Sequence, residues 1–113
     1  MNPIPYSIRQ EPRDHPLVSA VLAVRNEERY IESVLQSLLL QDTSICDLEI
    51  LVVDGDSSDA TRQIVERIAN RNARVRLLIN HRRKTPYAFN LGIHAAKGEY
   101  ICILGARMGI LQA

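Results

Sequence analysis

Apolar and polar positions along this chain fall into alternating blocks of two kinds. Leu17 to Val24, Leu48 to Val53, Val75 to Ile79 and Tyr100 to Leu104 are short, nearly continuous apolar runs rich in β-branched residues. Such runs are expected of strands buried on both faces of a parallel sheet. Between them, apolar residues recur at helical spacing. Ile31, Val34, Leu35, Leu38 and Leu39 form one stripe, Ile64, Val65 and Ile68 a second, and Ala88, Leu91 and Ala95 a third. Asn26 is placed to cap the first helix, with Glu27 and Glu28 in its first turn, where the helix dipole favours anions. Ser57 or Ser58 is placed to cap the second. Thr85-Pro86 starts the third, because proline suits a first helical position, and Gly98 is placed to end it.

The order is therefore β-α-β-α-β-α-β. It predicts an α/β fold with a parallel four-stranded sheet, order 3-2-1-4, and flanking helices. In such sheets ligands bind at the carboxyl ends of the strands, where the strand order reverses. Residues 1–16 carry four prolines and mixed charge and read as an extended arm, leaving residues 17–113 for the domain. Residues 105–113 follow the fourth strand without forming a convincing element. The fourth strand thus has no helix to cover it, and the chain reads as cut short.

At 113 residues the chain accommodates one domain, burying about 65% of its unfolded surface. Fourteen basic and 13 acidic residues nearly balance, and aromatics are few (four Tyr, one Phe, no Trp). This argues against a nucleic-acid partner, for which both a basic field and stacking platforms are wanted. No apolar run reaches the ~20 residues of a transmembrane helix, and the proline-bearing amino terminus has no signal-peptide core. Cys46 and Cys102 lack zinc-ligand spacing and are expected as reduced thiols, which points to the cytoplasm.

The candidate chemistry is concentrated after the second strand, in Val52-Val53-Asp54-Gly55-Asp56-Ser57-Ser58-Asp59-Ala60-Thr61. This segment resembles the VVDDGSxDxT signature of family 2 inverting glycosyltransferases, which have the GT-A fold. Three further blocks are similar to that family in the same order. They are the opening strand with its turn, Val24-Arg25-Asn26-Glu27-Glu28; the helix Ile31 to Gln41; and Ala88-Phe89-Asn90-Leu91-Gly92 through Gly98-Glu99-Tyr100-Ile101. Together they cover about residues 17–105. The resemblance implies the nucleotide-sugar-binding, amino-terminal half of a GT-A fold, a nucleoside-diphosphate sugar as donor with uridine as the expected base, and a place in polysaccharide biosynthesis. It also implies a cytoplasmic location, membrane-peripheral in the parent protein.

The resemblance carries nucleotide-sugar binding onto Val24, Asn26, Glu27, Asp54, Asp56, Lys84 and Asn90. A carboxylate such as Asp54 can accept hydrogen bonds from a base imide or a ribose hydroxyl, and it can equally cap the next turn. Many family members have two adjacent acids here. In this chain Gly55 occupies the second position and the next acid is Asp56, which leaves open which carboxylate meets the base. Lys84 matches a basic position, whereas Arg82 and Arg83 read as a solvated loop. Asn90 reads equally as a structural amide, and His81 and His94 as surface residues.

The family typically uses Mg or Mn, held by an acidic motif after the fourth strand. Here that place reads Leu104-Gly105-Ala106-Arg107, without an acid. No metal or cofactor and no catalytic residue is therefore expected in this chain, and the base that deprotonates the acceptor hydroxyl is expected beyond it. Nucleotide binding without turnover follows, as does self-association through an exposed apolar face. The alternatives are a receiver-like domain with a phospho-acceptor aspartate and a non-functional truncated remnant.

Overall fold

The computed structural model describes residues 16–41 and 46–105. The arm and the residues after Gly105, Arg107 among them, lie outside the described residues. The elements run β1 (Leu17–Val24), α1 (Ile31–Leu39), β2 (Asp47–Asp54), α2 (Thr61–Arg71), β3 (Val75–Ile79), α3 (Thr85–Ala95) and β4 (Tyr100–Gly105). The sheet is four-stranded and parallel throughout, in the expected order β3-β2-β1-β4. Among the described residues no helix is long and apolar enough to cross a membrane.

Side chains of a strand alternate between the two faces, and each face here carries its own core. Leu22, Val24, Ile50 and Val52 pack with Ile31, Val34 and Leu35 of α1 and Val65 of α2. Val21, Leu51 and Val53 pack with Ala88 of α3 on the opposite face. The α3 face is thin because the helix approaches the sheet through small residues. Gly92 lies so close to β1 that a Cβ on it would overlap the Val21 side chain. Leu91, expected on the apolar stripe of α3, is turned outward and is 41% exposed.

The helix boundaries differ from the sequence reading. Asn26 does not cap α1, which begins at Ile31. Its φ of 53° takes it out of the helical path, and its side chain serves the loop after β2 instead. Neither Ser57 nor Ser58 caps α2. The residue before α2 is Ala60, which has no side-chain cap, and the Asp59 carboxylate makes a local turn instead, accepting from the Thr61 amide at 2.9 Å and the Thr61 hydroxyl at 2.5 Å. Thr85 and Pro86 open α3 as expected, but α3 ends at Ala95 rather than at Gly98. Gly98 is required by a close approach. A Cβ there would sit 2.6 Å from Ser19 Oγ and 2.8 Å from the Leu17 carbonyl oxygen.

That approach belongs to a polar network under the α3–β4 junction. The Ser19 hydroxyl donates to Glu49 Oε2 at 2.5 Å and accepts from the Gly98 amide at 2.8 Å. The Lys97 amide donates to the same Glu49 oxygen at 2.7 Å, and Arg76 reaches Glu49 Oε1 at 3.4 Å. Burial pushes the Glu49 carboxyl up, but the Ser19 hydroxyl, the Lys97 amide and the Arg76 charge outweigh it and hold the group below its usual range. β4 is the contrasting element. It is an edge strand beside β1, and Tyr100, Ile101 and Ile103 are exposed.

Candidate functional site

The site is built where β1, β2 and β3 end side by side. Ladder-like bonds carry the sheet pattern past the strands: the Gly55 amide donates to the Val24 carbonyl and the Asn80 amide to the Asp54 carbonyl, each at 2.7 Å. The chain leaves β1 and β2 in two loops that hold each other. Ser57 Oγ donates to Asp54 Oδ1 at 2.5 Å and accepts from the Asn26 amide at 2.9 Å, so one hydroxyl joins the two strand ends. Asn26 Oδ1 accepts from the Ser58 amide at 2.8 Å and the Asp59 amide at 3.3 Å. Thr61 Oγ1 accepts from the Glu27 amide at 2.8 Å, and Glu28 Oε1 from the Ala60 amide at 3.0 Å. Asparagine and aspartate tolerate the left-handed backbone that these turns need, at Asn26 (φ 53°) and Asp56 (φ 61°).

Above the α3 face these loops enclose a cavity of about 230 Å³, lined by Ala23, Val24, Arg25, Glu27, Gly55, Asn80, Arg83, Thr85 and Ala88. Val24 and Glu27 are among the lining residues. Asp54 does not line the cavity. It has the strand parity of Ile50 and Val52, is fully buried, and its carboxylate accepts from the Ser57 amide at 2.9 Å and the Ser57 hydroxyl. The capping alternative for Asp54 is therefore the one its contacts support. A carboxylate so enclosed is also a poor phospho-acceptor.

Asp56 follows Gly55 of the lining and is ion-paired to Arg83, whose guanidinium donates to Asp56 Oδ2 from Nη2 at 3.1 Å and from Nε at 3.3 Å. Arg83 holds the Asp56 carboxyl below its usual value, against a smaller opposing effect of desolvation. Arg83 is thus an exposed loop residue, as the sequence reading has it, that also contributes to the cavity lining. Lys84 is exposed and absent from the lining. Its carbonyl accepts from Asn80 Nδ2 at 2.9 Å and from the amides of the first α3 turn. Asn90 faces a separate outer depression with His81, Arg82, Tyr87, Leu91 and His94, where the Arg82 guanidinium stacks 4.5 Å from the Tyr87 ring centre.

Asn80 was not singled out from the sequence, yet it is 2% exposed and organises the loop after β3. Its Oδ1 accepts from the Arg82 amide at 3.1 Å. The one signal for it is an asparagine directly after a strand and five residues before a Thr-Pro helix start. Among the described residues no group of three or more His, Cys, Asp or Glu side chains could hold a metal ion. The donor set around the cavity is thus one of backbone groups, amides, arginines and Glu27.

The family model described as "Glycosyl transferase family 2" matches residues 19–106. A Methanococcus voltae dolichyl N-acetyl-α-D-glucosaminyl phosphate 3-β-D-2,3-diacetamido-2,3-dideoxy-β-D-glucuronosyltransferase is 34% identical over 91 residues, which are 79% of this chain and 28% of the relative. The uncharacterized glycosyltransferase EpsJ of Bacillus subtilis is 40% identical over 86 residues, 76% of this chain and 24% of the relative. In three dimensions the chain resembles the mannosyltransferase PcManGT of Pyrobaculum calidifontis, solved with GDP-Man and Mn2+, at TM-score 0.74 and 30% identity over 86% of this chain and 31% of that one. It also resembles Staphylococcus aureus TarS in complex with UDP-GlcNAc, at TM-score 0.66 and 28% identity over 79% of this chain and 26% of that one. The chain therefore spans about a quarter to a third of the length of these relatives.

Proposed function

The chain belongs to glycosyl transferase family 2, and from that premise we propose that its strand-end cavity receives the nucleotide part of a nucleoside-diphosphate sugar, with uridine as the base. The parent reaction is transfer of the sugar to an acceptor hydroxyl with inversion, by in-line attack on the anomeric carbon after a base removes the hydroxyl proton. The observation that carries this reading is the cavity between the interlocked β1 and β2 loops and Arg83, at the place where α/β sheets bind ligands.

In this reading the residues divide by task. Val24, Gly55 and Ala88 form the floor, Glu27 offers an acceptor to ribose hydroxyls or to the base, and Arg25 and Arg83 offer charge to the diphosphate. Asn26, Asp54 and Ser57 position the loops through the bonds they make to one another. A divalent ion, where the family uses one, neutralises charge on the departing diphosphate. Because Leu104-Gly105-Ala106-Arg107 carries no acid, binding is expected to depend little on metal. In this reading the role of the described residues is nucleotide binding, in the cytoplasm.

Calorimetric titration with UDP, with and without manganese, tests the reading. Weak binding that manganese leaves unchanged is the expected result. Tight binding that requires manganese, or no binding at all, overturns it.

A further inference from the structure

Arg83, which lines the cavity, is ion-paired to Asp56, and both have backbones in the left-handed region. Asp56 has φ 61° in the loop after β2, and Arg83 has φ 67° in the loop after β3. Asparagine-like residues accept this conformation with little penalty, but for arginine it is an uncommon and mildly strained one. The strain is held by the turn that Asn80 organises, in which the Arg83 amide donates to the Asn80 carbonyl at 3.2 Å.

The pair itself is poorly made. Both guanidinium donors go to the same oxygen, Asp56 Oδ2, instead of one to each oxygen as in a full two-pronged arrangement. Both side chains also keep solvent contact, at 56% for Arg83 and 31% for Asp56. An exposed pair of this kind stabilises the fold little. Meanwhile Arg83 lines the cavity and Asp56 does not. The other cations of this segment are engaged elsewhere or absent from the lining: Arg82 lies over Tyr87, and Lys84 does not line the cavity.

We propose that the Asp56 carboxylate is an internal stand-in for the anionic part of the ligand. Arg83 rests on Asp56 while the cavity is empty and transfers its fork to the diphosphate when a nucleoside diphosphate enters. A diphosphate offers two or more oxygens to the planar fork, where Asp56 now offers one. Asp56 thereby competes with the ligand and sets how strongly the cavity prefers a nucleoside diphosphate over the bare nucleoside. This inference rests on the nucleotide reading of the cavity and names the residue pair that tunes it.

The test is calorimetric titration of the whole chain and its variants with uridine and with UDP. Arg83→Gly, which suits the positive φ, is expected to weaken UDP by about tenfold, as for loss of a charged hydrogen-bonding partner, and to leave uridine unchanged. Asp56→Asn, which also tolerates its φ, is expected to tighten UDP by roughly threefold by removing the competitor. In the Arg83→Gly background the same substitution is expected to do nothing. Should Arg83→Gly fail to fold, Arg83→Lys keeps the charge without the fork and is expected to fall between the two.

Weaker UDP binding by Asp56→Asn overturns the inference. So does an Asp56 effect that persists without Arg83, or an equal loss of uridine and UDP on removing Arg83. If uridine and UDP both fail to bind the unaltered chain, the nucleotide reading falls and this inference with it. If uridine binds and the Arg83 variants leave UDP unchanged, this inference alone falls.

Discussion

Gly92 of α3 and Val21 of β1 are in such close approach that the helix has room there for a hydrogen atom and not for a methyl group. Val21 is fully buried, and Ala88 one turn earlier on α3 is nearly so. The seat of α3, and with it the wall of the cavity formed by Thr85 and Ala88, is therefore set by a glycine in mid-helix.

Gly92→Ala is expected to destabilise the chain. Alanine gains up to about 1 kcal/mol of helix propensity over glycine. Overpacking against a buried valine costs about 1–3 kcal/mol and is expected to win, because backbone and sheet leave the valine nowhere to go. Denaturant unfolding of Gly92→Ala and of Gly92→Ala with Val21→Ala checks this. Recovery in the double variant is expected, and a single variant as stable as the parent rejects the close approach.

Loss of the loop lock is expected to show in two steps. Asn26→Gly keeps the φ of 53° accessible but removes the acceptor of the Ser58 and Asp59 amides, and is expected to cost about 1 kcal/mol. Asn26→Ala adds backbone strain and is expected to cost about 2–3 kcal/mol. Thermal unfolding of the two variants should rank them in that order. Asn26→Asp, which retains both acceptor and conformation, should stay close to the parent.

Acid is expected to weaken the fold through Glu49. Its folded-state value lies below its usual 4.5, so between the two values the unfolded chain binds more protons than the folded one. The stabilisation is complete above about pH 4.5 and is lost as pH falls through the folded value. Asp56 and Asp59 are shifted in the same direction and add to the loss. Unfolding free energies from pH 3 to 6 are expected to drop more steeply for the parent than for Glu49→Gln, by at most about one proton's worth of slope. Parallel curves would show that the Ser19–Glu49–Lys97 network does not hold this carboxylate as described.

The edge strand is expected to make the chain associate with itself. β4 exposes Tyr100, Ile101 and Ile103 and, among the described residues, has no strand beside its outer edge. Light scattering after size-exclusion chromatography should report species larger than a monomer. Ile101→Lys with Ile103→Lys should shift the chain toward the monomer, since charge on an edge strand discourages pairing. A monomeric parent with a cooperative thermal transition would refute this expectation.

The strands and the face of α1 were legible because burial on both sides writes a continuous apolar run, and burial on one side a helical stripe. Val21, Ile50 and Val34 needed no partner to be read as core. The ends of the elements were less legible, because their residues are used across the structure. Asn26 carries the chemistry of a helix cap but serves a loop 32 residues away, and Gly98 resembles a helix stop but makes room for Ser19. Asp54 shows the limit most clearly. Its position at a strand end could be read from the sequence, but whether its carboxylate faced the cavity or Ser57 depended on strand parity at the last residue of β2. Arg83 and Lys84 are adjacent exposed cations that sequence does not distinguish, and the positive φ of Arg83 is what sets it beside the cavity and Asp56.

The reciprocal bonds between the loops after β1 and β2 also bear on how this cavity can be redesigned or can drift. Neither loop is a separate module. Grafting in place of residues 55–60 a loop of another length or path, while keeping Asn26 and Glu28, would move the Ser58, Asp59 and Ala60 amides away from the side-chain oxygens that receive them. Changes in ligand preference are therefore expected to arrive as paired exchanges at both strand ends. A library that varies one loop at a time would sample mostly broken combinations.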